Sequence, residues 1–176
     1  MAKSSILSSS IAKKVAMALS GLFLVTFLAL HFFINLTSVF SAETFNVCSH
    51  FMGNNPIIQF VMQPILVAGV VFHFVMGFVL EIQNRAARPV SYAKNNGAAN
   101  SSWASRNMII SGLVVLAFLG LHFYDFWIPE MVYKYVVVNP LEPTRYFGEL
   151  VHKFESPVRT GLYCLAFVLL FLHLWH

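Results

Sequence analysis

Residues 56–80 read PIIQFVMQPILVAGVVFHFVMGFVL, a run of 25 residues without Asp, Glu, Lys or Arg. About 20 consecutive apolar residues are enough for a helix to cross a bilayer. A backbone with no water around it must also satisfy its own hydrogen bonds, which a helix does. Three further windows are equally free of charge: Val15 to Ala42, Asn107 to Tyr124, and Thr160 to the end. The sequence therefore predicts an all-α fold: a transmembrane helix bundle forming one domain over 1–176, with spans near 15–40, 57–82, 108–127 and 157–176.

Composition points the same way. Hydrophobic residues make up 58% of the 176, aromatics 15% and charged residues only 10%, against about 25% charged in soluble domains. So few charges could not clothe the surface of a soluble protein. Two Cys are too few for a disulfide scaffold, and the apolar excess rules out disorder. The lipid bilayer is the expected surrounding, and nucleic acid is not an expected partner. Val39-Phe40-Ser41-Ala42 loosely resembles a signal-peptidase site, but the apolar stretch before it is about 25 residues long, beyond the 7–15 of a signal core. Ser8 to Ser10 read as a helix-capping region and Asn95 to Ser102 as a flexible loop. The last span stops at His176 inside its own apolar stretch, so the chain reads as a fragment of a longer one. No internal repeat is expected.

Lys and Arg set the orientation. Lys3, Lys13, Lys14, Arg85, Arg88, Lys94 and Arg106 lie on one side, seven of eleven positive charges. Positive charge stays on the cytoplasmic side, so the N-terminus is expected inside. On the outer side, Lys134, Arg145, Lys153 and Arg159 are balanced by Glu130, Glu142, Glu149 and Glu155.

Four of the seven His sit in the apolar windows, one per span: His31, His73, His122 and His173. An ionisable group in hydrocarbon is costly and by default faces a protein interior with a task. At 1.5 Å per residue, His31 and His122 fall roughly 5–7 Å to the outer side of the midplane, and His73 and His173 a similar distance to the inner side. The two levels are about 12 Å apart. Two imidazoles facing one another can take a haem iron between them, filling both axial positions and leaving a centre that only carries electrons. The bland alternative for any one of them is a packing histidine bonded to a backbone carbonyl. A zinc-like site would favour ligands clustered on one or two helices. Only His173 and His176 approach that, and His176 competes with His173 as the ligand on span four.

Gly69 and Gly77 flank His73 by four residues and share its face, where they either admit a flat macrocycle or serve close helix packing. Asn35, four after His31, is a candidate to orient it. His50 and His152 fall in outer connections and are expected to be solvated, and Cys48 and Cys164 lie too far apart in depth for a disulfide. Trp103, Tyr124, Trp127 and Tyr133 read as interfacial aromatics and the Phe-rich faces as lipid contact.

The pattern resembles a known family, the cytochrome b membrane anchor of succinate dehydrogenase and fumarate reductase in its two-haem, single-anchor form. The residues that carry the resemblance are Lys14-x-x-Met17-Ala18-Leu19-Ser20-Gly21 and His31-x-x-x-Asn35-Leu36 in span one. Span two gives His73-x-x-x-Gly77 and Asn84-x-x-Ala87-Arg88-Pro89-x-x-Tyr92. Span three gives Ser105-Arg106-Asn107-Met108 and Leu121-His122-Phe123-x-Asp125-Phe126, and span four gives Leu172-His173-Leu174-Trp175-His176. The resemblance implies a fifth helix beyond His176. It implies two haem b groups, the inner held by His73 and His173 and the outer by His31 and His122. It also implies a flavoprotein and an iron–sulfur subunit docked at the cytoplasmic face, near Arg85, Arg88 and the N-terminal lysines. Menaquinone would be the quinone, and the bacterial inner membrane the location.

Beside the resemblance, the residues themselves nominate Arg106, Lys13 and Arg159 as partners for haem propionates, or as side chains that merely snorkel to the headgroups. Gln59 and Asp125 are candidates to bond a quinone oxygen. No flavin motif, Cys cluster or dicarboxylate chemistry is present in the chain. A membrane hydrogenase or formate dehydrogenase would use the same kind of haem scaffold. A transporter with titrating histidines would call for broken helices or a midplane acid.

Overall fold

The computed structural model describes residues 9–87, 99 and 102–175. Among these residues all regular structure is helical. Four helices are each long and apolar enough to cross a membrane: Ser10–Phe40, Ile58–Ala86, Met108–Val136 and Pro157–Leu174. The chain divides into two compact units, Met1–Pro89 and Val90–His176.

In the first unit, α1 (Ser10–Phe40) is followed after one residue by α2 (Ala42–Asn54). Ser41 makes that corner. Its backbone is extended, its N–H donates to the Thr37 carbonyl at 2.9 Å, and its hydroxyl accepts from the Thr44 N–H at 3.1 Å. One residue thus closes one helix and caps the next, with Glu43 in the first turn complementing the helix dipole. Asn55 is extended because Pro56 follows it, and its side chain accepts from Ile57 and Ile58, capping the third helix.

That helix opens with a wide π turn, Ile58–Met62, and continues as α3 (Gln63–Ala86). Pro64 explains the turn. Proline has no N–H and its ring clashes with the carbonyl four residues back. The strand of hydrogen bonds shifts instead, and the Gln63 N–H reaches Ile58, five residues back. The span carries on past the proline without a break. α1 and α3 pack side by side, and Lys13 Nζ donates to Gln83 Oε1 at 3.4 Å across their ends.

The second unit repeats the plan. A single helical turn, Trp103–Arg106, leads into α4 (Met108–His122). This helix runs on through π turns at Phe123–Trp127 and Val132–Val136, with Ile128–Met131 between them. Pro129 again stands two residues past the first wide turn. The expected end at 127 is therefore too early: the helix absorbs Pro129 and continues to Val136. Its charged extension is held by Glu130, which pairs with Lys134 one turn on and with Arg145. The first helix also begins earlier than expected, at Ser10, since Lys13 and Lys14 can lie on a helix and reach outward on their long stems.

α5 (Arg145–Phe154) lies in the connection, and α6 (Pro157–Leu174) packs against α4. Ser156-Pro157 starts α6 by the usual chemistry: the serine hydroxyl accepts from the Arg159 N–H at 3.4 Å, and proline sits where no N–H is needed. Neither α2 nor α5 is anticipated by the reading of spans and loops.

Phe45, Tyr163 and Ala166 are the buried apolar residues among those described, while Phe32, Phe33, Phe60, Phe167 and many others are exposed. In water such a surface would aggregate. In lipid an apolar side chain has no solvent to escape.

Candidate functional site

Each unit places two of the four intramembrane histidines on its pair of spanning helices. In the first unit His73, on α3, faces α1, where Ser20 Oγ lies 2.9 Å from its Nδ1. The same hydroxyl donates to the Met17 carbonyl at 2.8 Å. Gly21 leaves the backbone bare beside the ring, so that a Cβ there would meet His73 Cε1 at 3.4 Å. In the second unit His173, on α6, faces α4. Ser111 Oγ lies 2.9 Å from its Nδ1 and donates to the Met108 carbonyl at 2.9 Å. A Cβ on Gly112 would meet His173 Cε1 at 3.6 Å.

The correspondence extends along the helix. Met17–His31 reads MALSGLFLVTFLALH and Met108–His122 reads MIISGLVVLAFLGLH, identical at eight of fifteen positions. Met, Ser, Gly and His keep the same spacing in both. In each copy a Phe one turn before the histidine lies against its ring: Phe27 stacks on His31 with centroids 5.6 Å apart, and Phe118 tilts on His122 at 6.1 Å. The expectation of no internal repeat is thus corrected. Eight scattered identities between apolar segments carry little weight as letters, and they become a repeat when both copies form the same serine–histidine clasp. Ser20 and Ser111 are the residues that attention to histidines alone misses, and Met-x-x-Ser-Gly before His31 and before His122 is the signal that finds them.

His31 lies next to Asn35, whose side-chain amide donates to the His31 carbonyl at 2.8 Å. His122 sits among Phe118, Phe126 and Tyr163, with Phe126 at 5.3 Å. His176, the alternative to His173, lies outside the described residues, as do Arg88, Pro89, Tyr92 and Lys3.

Of the two glycines flanking His73, Gly69 lies tight against α1: an added Cβ would come within 2.8 Å of Phe23 Cε1. Gly77 is looser, with Met17 Cε at 3.6 Å from such a Cβ. Gln59 donates to the Gly53 carbonyl, tying the wide turn of the second span to the end of α2.

Asp125 and Arg159 form part of one cluster in the second unit. The Asp125 carboxylate is fully buried. Its Oδ1 is bonded by Arg159 and lies 3.7 Å from Lys153 Nζ, while Oδ2 accepts from the Tyr163 hydroxyl at 2.9 Å. The Tyr163 ring is in turn walled by Phe118, Phe126, Phe154 and Phe167. A quinone oxygen at Asp125, or a propionate at Arg159, would have to compete with this pairing.

Elsewhere, Lys13 is engaged by Gln83, and the Arg106 N–H donates to Ser102 at the single turn before α4. His152 is exposed and pairs with Glu155, and His50 is half-buried beside Asn54. Neither Cys48 nor Cys164 forms a disulfide. Tyr133 does more than mark an interface: its hydroxyl donates to the Pro140 carbonyl at 2.7 Å and its ring lies under Arg145. Among the described residues, no three His, Cys, Asp or Glu side chains gather as a metal cluster.

The chain matches no protein-family model, no curated protein and no solved structure.

Proposed function

We propose that this chain is a two-haem cytochrome b, the membrane anchor and electron-transfer subunit of a succinate dehydrogenase or fumarate reductase. In this reading His31 and His122 supply the axial nitrogens of an outer haem, and His73 and His173 those of an inner one. A haem iron with both axial positions filled by imidazole carries single electrons and offers no place for oxygen or substrate. Electrons from an iron–sulfur subunit, reduced by a flavoprotein on the cytoplasmic face, would cross by way of the two centres to menaquinone, or run the reverse way in fumarate reduction.

The observation that carries the reading is the repeat. Each unit has a histidine after Met-x-x-Ser-Gly on its first span and a serine-clasped histidine on its second. Depth pairs His31 with His122 and His73 with His173, and the repeat makes the same pairs equivalent. The shared spacing and the depth that follows from it both favour the same partners. Equivalent positions in two copies of one hairpin are what a pair of similar axial ligands needs.

The surroundings suit a porphyrin. The four imidazoles sit on apolar helices and offer nitrogen donors. Gly21 and Gly112 follow the two clasping serines and put no side chain against the rings. The protein's own contribution would be to supply the four imidazoles as ligands, with Ser20 and Ser111 beside the Nδ1 atoms of His73 and His173.

The test is a reduced-minus-oxidised visible spectrum of the purified full-length protein, with haem counted per polypeptide. Two haems are expected. His73→Ala and His122→Ala should each remove a different one. A preparation without porphyrin, or substitutions that leave spectrum and haem count untouched, would refute the reading.

A further inference from the structure

A serine hydroxyl has one hydrogen. In both units the geometry gives that hydrogen to the serine's own helix, on the carbonyl of Met17 or Met108 three residues back. What Ser20 and Ser111 turn toward the imidazole is therefore an oxygen lone pair. With the hydrogen on that carbonyl, the oxygen at 2.9 Å is placed to accept from Nδ1. In that arrangement the Nδ1 of His73 and of His173 carries the ring proton, and in a neutral imidazole the other nitrogen, Nε2, holds the lone pair.

We propose that Ser20 and Ser111 are positioning residues: each accepts the Nδ1 proton of its histidine, fixes the tautomer that binds metal through Nε2, and makes that nitrogen a stronger donor to iron. The proposal rests on the two-haem reading and adds to it a specific consequence. Both serines act on the inner haem, one through each axial ligand, and neither acts on the outer haem.

The chemistry of the effect has a sign. A hydrogen-bond acceptor on the far nitrogen of a ligating imidazole raises the basicity of the near one. A more basic ligand favours ferric over ferrous iron, so the serines hold the inner haem at a lower potential than it would otherwise have. Gly21 and Gly112 place α1 and α4 beside the same ring edges, an added Cβ meeting Cε1 at 3.4 and 3.6 Å.

The experiment is a redox titration of the full-length protein, followed by visible and low-temperature electron paramagnetic resonance spectra, on Ser20→Ala, Ser111→Ala and the pair of threonine variants. Each alanine variant is expected to raise the potential of one haem by about tenfold in its ferrous-to-ferric ratio, about 59 mV for one electron. The same haem should move in both variants, with the other unchanged. Ser20→Thr and Ser111→Thr keep a hydroxyl and should restore the wild-type value. Selective loss of that one haem in the alanine variants, with retention in the threonine variants, supports the same conclusion.

Two haems whose potentials and spectra ignore both alanine substitutions would overturn the role of the serines and leave the two-haem reading standing. So would a result in which each serine moves a different haem, or in which threonine fails to restore. A wild-type protein without haem would overturn both.

Discussion

Asp125 and Arg159 are 34 residues apart in sequence and bonded to one another, the first buried in the wide turn after α4 and the second in the opening turn of α6. Removing one member of a buried ion pair leaves the other charge uncompensated, typically at a cost of about 3–5 kcal/mol. Asp125→Ala strands Arg159 and Lys153 together and also frees the Tyr163 hydroxyl, so it should destabilise the protein by about 3 kcal/mol or more. Arg159→Ala should cost less, since Lys153 and Tyr163 still face the carboxylate. Thermal or denaturant unfolding in detergent would rank the two. Equal losses would mean that Lys153 and Tyr163 contribute nothing once Arg159 is gone.

Tyr163→Phe isolates the hydroxyl from its ring. The ring contacts with Phe118, Phe126, Phe154 and Phe167 remain, and only the bond to Asp125 Oδ2 is lost. A hydrogen bond to a charged group contributes about 1.5–3 kcal/mol. The variant should lose stability within that range, while Tyr163→Ala should lose clearly more by opening a cavity among the aromatics.

Close approach of α1 and α3 depends on Gly69. An added Cβ would sit 2.8 Å from Phe23 Cε1 and 3.1 Å from Cδ1, distances that real side chains avoid. Gly69→Ala should therefore destabilise the first unit by about 1–3 kcal/mol, the usual cost of overpacking. Phe23→Leu removes the ring atoms in the way, so the double variant should recover much of the loss. If the double variant were as unstable as the sum of the singles, the clash would not be with Phe23.

How much of this was legible beforehand differs from residue to residue. The four spans were, because a window without charge is a direct statement about where lipid can lie. Their ends were less so. Pro129 looks like a terminator, yet a shift to five-residue hydrogen bonding carries the helix past it, with the Ile128 N–H reaching Phe123. Glu130 and Lys134, charges that seemed to mark the end, pair along the helix one turn apart and with Arg145. α5 had a readable pattern, with Tyr146, Phe147, Leu150, Val151 and Phe154 at helical spacing, but so short an amphipathic run between spans is easily read as loop. Ser20 and Ser111 could not be found by type, since a serine inside a helix ordinarily bonds only its own backbone. They emerge from the spacing shared by two copies. The Asp125–Arg159 bond had no local signal at all: a partner 34 residues distant is fixed by how α4 and α6 pack.

Val138 is the one described non-glycine residue with a positive φ, at 55°. It follows the last wide turn of the third span, where glycine commonly ends a helix in the left-handed conformation. A β-branched residue there carries roughly 1–2 kcal/mol of strain, from which the greater chain entropy of an unfolded glycine must be subtracted. Val138→Gly should raise stability by up to about 1 kcal/mol, visible as a higher unfolding temperature, whereas Val138→Ala should bring less.

Arg145 shows why the connection between the third and fourth spans needs an arginine and not simply a positive charge. Its guanidinium lies 4.0 Å from the centroid of the Tyr133 ring and 4.4 Å from that of Tyr146, and it donates both to Glu130 and to the two carboxylate oxygens of Glu149 at 2.8 Å. Burial pushes its pKa down, but the hydrogen bonds and charges of Glu130 and Glu149 outweigh that and hold it above the ordinary arginine value. The group stays protonated in any usable buffer, so its contribution cannot be titrated away from its own side. A lysine has the charge but neither the flat face that stacks on two rings nor the fork that reaches two carboxylates. Arg145→Lys should therefore cost about 1–2 kcal/mol at neutral pH, read as a lower unfolding temperature. Arg145→Lys and Glu149→Gln together should cost less than the sum of the two, because each removes part of the same interaction. Full additivity would mean that Glu149 does not act through Arg145.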